Sequence, residues 1–514
     1  MNVGTNRKPL ILGLGASLRS ARWGEGAKRL VEQLYQLDSE NALNKFLERE
    51  SNLHLENFLQ AGRRDGLSFD EIYKKLKKAE GDKGLCNSEV ILSASLWSAL
   101  KEGCDIEFRS IAEFFTSQGK PKKNIEQLRS LLLRADGLIL STPVYFGDHS
   151  SLAGDCIRFI TQDDELSKKV KGMSYAGLAV GAKRNGGQET TLVYQIIDML
   201  NIDMLAVGND SETTSQYGGT SHAGDVGTAW KDYYGIWTSM GVGRRVAKVS
   251  HLLLYANNKE LKSKLRVGFW LTQDYNGFAR KQIEELVSKY KEEIDAYIFD
   301  VSKETMHRCL ACDICPKSTD DDLKYRCLIQ SPNDFFKRCH ESILNVDAIV
   351  PVAYVPNERI RHFNTSYQVF NERLRYLRRG DYVFTDYAVA PFVFEEIGAN
   401  DCMRVRMITS MIRQHTIMTR PIVGHILNGE ILNFEQLESV WKLFLEHAKR
   451  LTVGRLVRTL IEDHTPVYNP VGYVLSADKE KDDNQLQMRY YYCKQRQKKL
   501  KAIAEQRVAF QNEN

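Results

Sequence analysis

Twice along the chain, short apolar runs alternate with longer helical stretches, and few folds accommodate that alternation. In the first half, strands are expected at Pro9–Leu14, Ile106–Ile111, Gly137–Leu140, Met173–Val180 and Met204–Val207. Helices are expected from the cap Asn124 through Arg134 and over Thr190–Leu200. After residue 265 the order returns, with strands at Arg266–Leu271, Ala296–Val301, Asp347–Val352, Tyr382–Thr385 and Pro421–Leu427. Its helices are expected at Phe278–Lys291, Ser331–Leu344 (Ser331 as cap, Pro332 at the first helical position) and Phe434–Leu451. Apolar runs bounded by glycine suit strands buried on both faces, and alternation with helices makes the sheet parallel. The expected class is therefore α/β, with two tandem doubly wound parallel sheets.

The two halves match most visibly at Ala135-Asp136-Gly-Leu-Ile-Leu and Val346-Asp347-Ala-Ile-Val-Pro, which reads as a duplicated unit with its seam near 255–265. The domains expected are 1–260, 261–477 and a charged helical tail, 478–514, read as a solvated helix. Residues 25–83 are rich in Leu, Lys and Glu, with Leu30, Leu34 and Leu37 at helical spacing, and read as a helical insertion in the first domain.

Composition excludes several classes. Lys plus Arg (71) against Asp plus Glu (66) leaves +5 over 514 residues, too little to point to nucleic acid. No apolar run approaches the ~18 residues that span a bilayer. The opening residues do not read as a signal peptide, so a cytoplasmic protein is expected. Ten cysteines are present, and Cys309, Cys312, Cys315 and Cys327 crowd together. In a reducing compartment such a cluster points to metal or redox chemistry, not disulfides.

Three loops carry the remaining chemistry. The turn Gly15-Ala-Ser17-Leu-Arg19-Ser20 follows the first strand without the third glycine of a dinucleotide fingerprint. Serine hydroxyls, an arginine and helix-start N–H groups there suit a terminal phosphate. Ser141-Thr-Pro143-Val144-Tyr145-Phe146-Gly147 follows the third strand, and Arg184-Asn185-Gly186-Gly187-Gln188 the fourth. Each falls where doubly wound folds bind ligands.

On these residues the chain resembles the NADPH-dependent FMN reductase and iron–sulfur flavoprotein branch of the flavodoxin-like superfamily. The family's Gly-Ser-x-Arg loop matches Ala16-Ser17-Leu18-Arg19, and its Asn-Ser/Thr element matches Asn87-Ser88 ahead of the helix Val90–Lys101. The insertion thus splits the phosphate loop. The resemblance implies two flavodoxin-like domains, the first holding FMN. Ser17, Arg19, Asn87 and Ser88 would sit at the phosphate; Pro143, Val144, Tyr145, Phe146, Gly147, Arg184, Asn185, Gly186, Gly187 and Gln188 would sit at the ring. The second half lacks these loops: Leu271-Thr-Gln-Asp-Tyr-Asn-Gly277 has no Ser-x-Arg pair, and Ala353-Tyr-Val-Pro-Asn357 replaces the aromatic turn. One FMN is expected, not two. The cysteines resemble the family's compact group, implying an iron–sulfur (4Fe–4S) cluster ahead of zinc on the same four thiolates or no metal.

The activity implied is FMN-dependent oxidoreduction, with hydride from NAD(P)H and electrons passing through the cluster or to a small-molecule acceptor. The alternatives are a ferredoxin-fed electron-transfer flavoprotein and a non-catalytic flavin or zinc module. Partners would be a small-molecule or protein electron donor and acceptor, with a homo-oligomer open to it and neither nucleic acid nor membrane expected. No catalytic side chain is assigned. His222, Cys86 and Tyr490-Tyr491-Tyr492 stay without a role.

Overall fold

Leu10–Gly15 (β1) is buried at every position after Leu10, as a central strand covered on both faces must be. A side chain at Gly13 would meet Leu96 at 2.7 Å, so the glycine lets a helix press against the strand. The computed structural model describes residues 7–60, 66–68, 71, 84–210, 216–312, 327–357, 365–400, 402–462 and 483–510. The chain divides into two compact units, Thr5–Ser211 with Ser215–His251, and Leu252–Asn514 with a few residues from elsewhere.

In the first unit β1 is followed by α1 (Glu25–Gln36), α2 (Glu40–Gln60) and α3 (Asn87–Lys101). Next come β2 (Asp105–Ser110), α4 (Ile125–Arg134), β3 (Gly137–Pro143), α5 (Ser151–Gln162) and α6 (Asp164–Val170). The unit closes with β4 (Ser174–Gly181), α7 (Gln188–Asn201), β5 (Leu205–Ala206), β6 (Gly218–His222) and α8 (Tyr233–Tyr255). All pairings are parallel in the order β2-β1-β3-β4-β6, with β5 on the start of β4. This is the flavodoxin-like order, and its strand order reverses beside β1 and β3. The register Gly15↔Ser141 levels the ends of those two strands, so the loops that follow them share one crevice.

Two helices cover one another through small residues. A Cβ at Gly243 in α8 would overlap the Ser95 carbonyl oxygen of α3, and Ser98 donates to the Met240 carbonyl at 2.7 Å. Backbone cannot yield as a side chain can. Gly243→Val is therefore expected to destabilise the first unit by about 3 kcal/mol or more, read from urea unfolding.

The second unit begins with β7 (Lys259–Leu261), β8 (Leu265–Gln273), α9 (Phe278–Lys289) and β9 (Ile294–Phe299). It continues through α10 (Phe335–Leu344), β10 (Ala348–Val355), α11 (Ser366–Arg373), α12 (Arg375–Asp381), β11 (Ala388–Val389) and β12 (Phe392–Glu396). Then come α13 (Met403–Ile412), β13 (Ile417–Met418), β14 (Ile422–Leu427), β15 (Glu430–Ile431) and α14 (Phe434–Ile461). The chain ends in α15 (Asp483–Arg507) and β16 (Val508–Phe510). Strands run parallel in the order β9-β8-β10-β12-β14, the same order as in the first unit, with β15 antiparallel at the edge. β11 pairs with β10 and β13. The paired sequence motifs have one structural role: Asp136 accepts the Leu10 N–H at 2.8 Å, and Asp347 accepts that of Arg266 at 2.9 Å. Each carboxylate caps the corresponding strand of its unit, β1 or β8.

Three expectations are corrected. The fourth strand of this unit is not Tyr382–Thr385, which forms a turn with Tyr382 at φ 48° and stacked on His415. It is β11 and β12, broken at Ala390-Pro391 where the missing proline N–H falls between two pairings. The helix α10 is capped by Asp334, whose side chain accepts from Phe336 N–H at 3.1 Å; Ser331 accepts from Asp334 N–H in a turn just ahead. The tail is not simply a solvated helix: β16 pairs with β7, and Ala504 and Val508 pack with Val453, Leu456 and Val457. Tyr490-Tyr491-Tyr492 fall in α15, and their side chains lie outside the described residues.

Candidate functional site

The two pieces of the loop after β1 are rejoined by one carboxylate. Glu89, fully buried in the first turn of α3, accepts the N–H of Ala21 at 3.0 Å, of Arg22 at 3.3 Å and of Cys86 at 2.9 Å, and the hydroxyl of Ser20. Burial pushes its carboxyl above the ordinary value despite these donors. Behind the loop, Arg22 forms a buried ion pair with Glu50 of α2 at 2.7 Å, and Glu50 also accepts the Gly84 N–H at 2.8 Å. The Arg22 Nε–H donates to the Gly84 carbonyl at 2.9 Å. Leaving and re-entering strands of the insertion are thus clamped at its base, and the insertion does not pull the loop apart.

Ser17 and Ser88 are buried at this junction, and Ser141 Oγ ties β3 to it through the Ser88 carbonyl at 2.8 Å. The Arg19 N–H donates to Ser17 Oγ at 3.2 Å, while its guanidinium lies exposed over the Phe58 ring, 5.5 Å from the centroid. The Asn87 amide is committed elsewhere: it donates to the Asp225 carbonyl at 3.0 Å and accepts from Thr228 and Ala229 N–H. It fastens loop 225–229 over the start of α3. The Cys86 thiol is buried, which pushes it well above the ordinary value and keeps it from being a reactive thiolate.

The other two loops pack on each other. Tyr145 and Asp148 bridge a tight turn in which Phe146 (φ 54°) and Gly147 (φ 81°) are both left-handed. Phe146 is consequently thrust out, 107% exposed, with Tyr145 beside it at the surface; Pro143 and Val144 are half-buried. Gly187, at φ 97°, approaches so closely that a Cβ would meet Gly147 Cα at 3.1 Å and Val144 at 3.2 Å. Gln188 holds this loop from beneath, donating to the carbonyls of Lys183 at 2.7 Å and Ser221 at 2.9 Å. Asn185 is left-handed (φ 62°) and exposed, and Gly186 beside it is exposed.

Sequence reasoning set His222 aside, and the structure gives it a partner. Asp232 accepts the His222 N–H at 2.8 Å and faces its Nδ1 at 3.1 Å. It also accepts from Ser221, from Gly235 N–H and from the Arg184 guanidinium. Burial would raise the Asp232 carboxyl, but these donors hold it below the ordinary value. Arg184 therefore shapes its loop from Asp232 and leaves the crevice to the loop's backbone.

In the second unit the corresponding crevice is filled from within. Asp274 follows β8 where the first unit has Ser17 and Arg19, and burial raises its carboxyl. Tyr275 stacks on Tyr354 at 5.7 Å, and Phe278 packs edge-on against Tyr354 and Phe394. A buried carboxylate and a closed aromatic cluster are hostile to a flavin phosphate.

Nearby chain carries the cysteines. Cys309, Cys312 and Cys327 line one pocket with Arg373, Arg375 and Tyr376; Cys315 lies outside the described residues. The Ala311 N–H donates to Cys309 Sγ at 3.5 Å, with Ala311 left-handed at φ 49°. Asp334 and Arg373, both fully buried, pair at 2.8 Å and grip His307 between its N–H and carbonyl. Among the described residues no three His, Cys, Asp or Glu side chains are gathered to hold a metal. The chemistry of the donors still fits thiolate ligation: three cysteines share one pocket and an amide donates to sulfur.

The chain is similar to several known proteins. The family model for NADPH-dependent FMN reductase matches residues 87–217, beginning where the split loop resumes. An iron–sulfur flavoprotein of Methanocaldococcus jannaschii is 32% identical over 182 residues, covering 32% of this chain and 92% of that protein. Among solved structures, a WrbA-like flavodoxin of Agrobacterium tumefaciens is 20% identical, with 30% of this chain and 87% of that one covered at a TM-score of 0.24. The NAD(P)H:(acceptor) oxidoreductase FerB of Paracoccus denitrificans is 11% identical, with 36% and 97% covered at a TM-score of 0.24. Among the described residues no helix is long and apolar enough to cross a membrane. With nearly the whole of the archaeal flavoprotein matched, and the loops that follow β1, β3 and β4 built as described, the chain belongs to the NADPH-dependent FMN reductase family and is a flavin-dependent oxidoreductase.

Proposed function

We propose that the first unit binds one FMN, takes hydride from NAD(P)H and passes electrons to an iron–sulfur cluster on Cys309, Cys312, Cys315 and Cys327. The observation that carries this reading is the Glu89 clamp, which restores a phosphate loop level with the Pro143–Gly147 turn despite the insertion. Ser17, Arg19 and Ser88 would hold the phosphate, with Asn87 bracing the loop above. Pro143, Val144, Tyr145, Phe146 and Gly147 would face the ring, with the backbone of Arg184, Asn185, Gly186 and Gly187 at its polar edge and Gln188 supporting that loop. Bound FMN would supply two-electron and one-electron chemistry in one group. The chain's own residues position it, and the exposed Phe146 and Tyr145 would exclude water from its face. The name of the family supports NADPH as donor, and that of the archaeal relative supports the cluster.

Arg19→Ala tests the phosphate assignment. Loss of a charge-assisted contact worth roughly 1.5–3 kcal/mol is expected to weaken FMN about ten- to a hundredfold. Fluorescence titration of flavin-free protein reads it, and unchanged affinity removes this loop from the site.

A further inference from the structure

His54 lies on α2 inside the insertion, is 6% exposed, and neither ring nitrogen finds a hydrogen-bond partner among the described residues. One turn earlier, Ser51 is fully buried and its hydroxyl is likewise without a partner among them. Groups this buried are ordinarily satisfied, because an unmade hydrogen bond keeps its full desolvation cost. Two on one helix stripe therefore call for a missing acceptor or donor.

Three separate contacts place that stripe over the phosphate loop. A Cβ at Gly84, just ahead of α3, would touch the His54 backbone and Cβ at 3.1–3.2 Å. One at Gly227 would meet the Ser51 carbonyl at 2.7 Å and Leu55 at 3.1 Å, and loop 225–229 is the one Asn87 holds. Phe58, one turn beyond His54, carries the Arg19 guanidinium on its ring. The buried Arg22–Glu50 pair fixes α2 in this position. Burial, and the positive charge of Arg19 beside it, hold the His54 imidazole down to about 4. It is a neutral donor waiting beside an arginine that has no ion-pair partner among the described residues.

We propose that α2 is an added wall of the phosphate pocket, and that His54, backed by Ser51, hydrogen-bonds the FMN phosphate opposite Arg19. The inference rests on the FMN reading above. It gives α2 a purpose: the loop is split so that this helix stands over the anion the loop binds.

The test compares two flavins that differ only in the phosphate. Flavin-free protein is titrated with FMN and with riboflavin by fluorescence quenching. His54→Ala is expected to weaken FMN about tenfold or more and riboflavin less than twofold, while His54→Gln, which can still donate, keeps most of the FMN affinity. Equal loss for both flavins, or none for FMN, overturns the role. Should the variants fail to fold, the His54 imidazole NMR signals of the wild-type protein decide: they should move with FMN and hold still with riboflavin, and signals indifferent to FMN overturn it. A silent His54 beside a strong Arg19→Ala effect removes only this inference. If Arg19→Ala is silent as well, the phosphate-loop assignment itself fails.

Discussion

Asp347→Asn is expected to destabilise the second unit by about 3–5 kcal/mol, seen as an early unfolding transition in urea or on heating. Asp347 is 1% exposed and answers to three arginines. Arg507 reaches it at 2.6 and 2.7 Å, Arg266 at 3.0 Å and Arg455 at 3.7 Å. Removing the carboxylate leaves several poorly hydrated cations facing one another, which costs far more than the intact network contributes. Burial alone would raise the Asp347 carboxyl, but Arg507 and Arg266 hold it well below the usual carboxylate range. A depressed pKa contributes stability that is present above the unfolded value of about 3.9 and fades as pH falls below it. Wild-type protein should therefore lose stability below about pH 4 along a slope that Asp347→Asn lacks. The same variant should free the C-terminal tail, because Arg507 ends the helix that delivers β16 to β7. Protease cleavage within 483–510 should accompany the loss.

That tail shows why some of the fold escaped the sequence. Its charge density reads as a solvated face, and only tertiary pairing reveals that one of its arginines is 9% exposed against a carboxylate far away in the chain. Similarly, Asp334 caps α10 because it also pairs with Arg373, a contact that local reading of Ser331-Pro332 cannot contain. Tyr382–Thr385 looks like a strand by composition, whereas the true strand carries Pro391, which argues locally against pairing. Apolar periodicity, by contrast, located β1, β3, β4, β8 and β10 within a few residues, because strands buried on both faces have little freedom in composition.

In the candidate site, that the segments around Ser17 and Arg19 and around Asn87 and Ser88 belong to one loop was legible from their residue types, although the chain leaves between them. Glu89 was not singled out. At the third position of a helix it reads as an ordinary capping residue, and its reach back to Ser20, Ala21 and Arg22 exists only once the insertion has folded. His54 was invisible for the same reason. A histidine in a Leu- and Glu-rich helix gains meaning only from finding itself buried and unpartnered beside Arg19.

Cys327→Ser is expected to remove all bound iron from protein purified without oxygen, as Cys309→Ser, Cys312→Ser and Cys315→Ser should, with flavin content unchanged in each. The argument is geometric and chemical together. Cys309 and Cys312 stand on the chain that leaves β9, and Cys327 stands past residues 313–326, yet all three line one pocket. A four-thiolate site opened at one ligand exposes the cluster to solvent and loses it. Cys339→Ser should keep full iron, because Cys339 sits on α10 and burial pushes its thiol up, away from the thiolate that binds metal. The Asp334–Arg373 pair holds the backbone of His307, two residues ahead of Cys309, and Arg373 also lines the pocket. Metal analysis with the visible spectrum reads the outcome. Zinc in place of iron would give a colourless four-thiolate site and redirect the electron path from the flavin to an external acceptor. Full iron in Cys327→Ser would move the fourth ligand elsewhere in the chain.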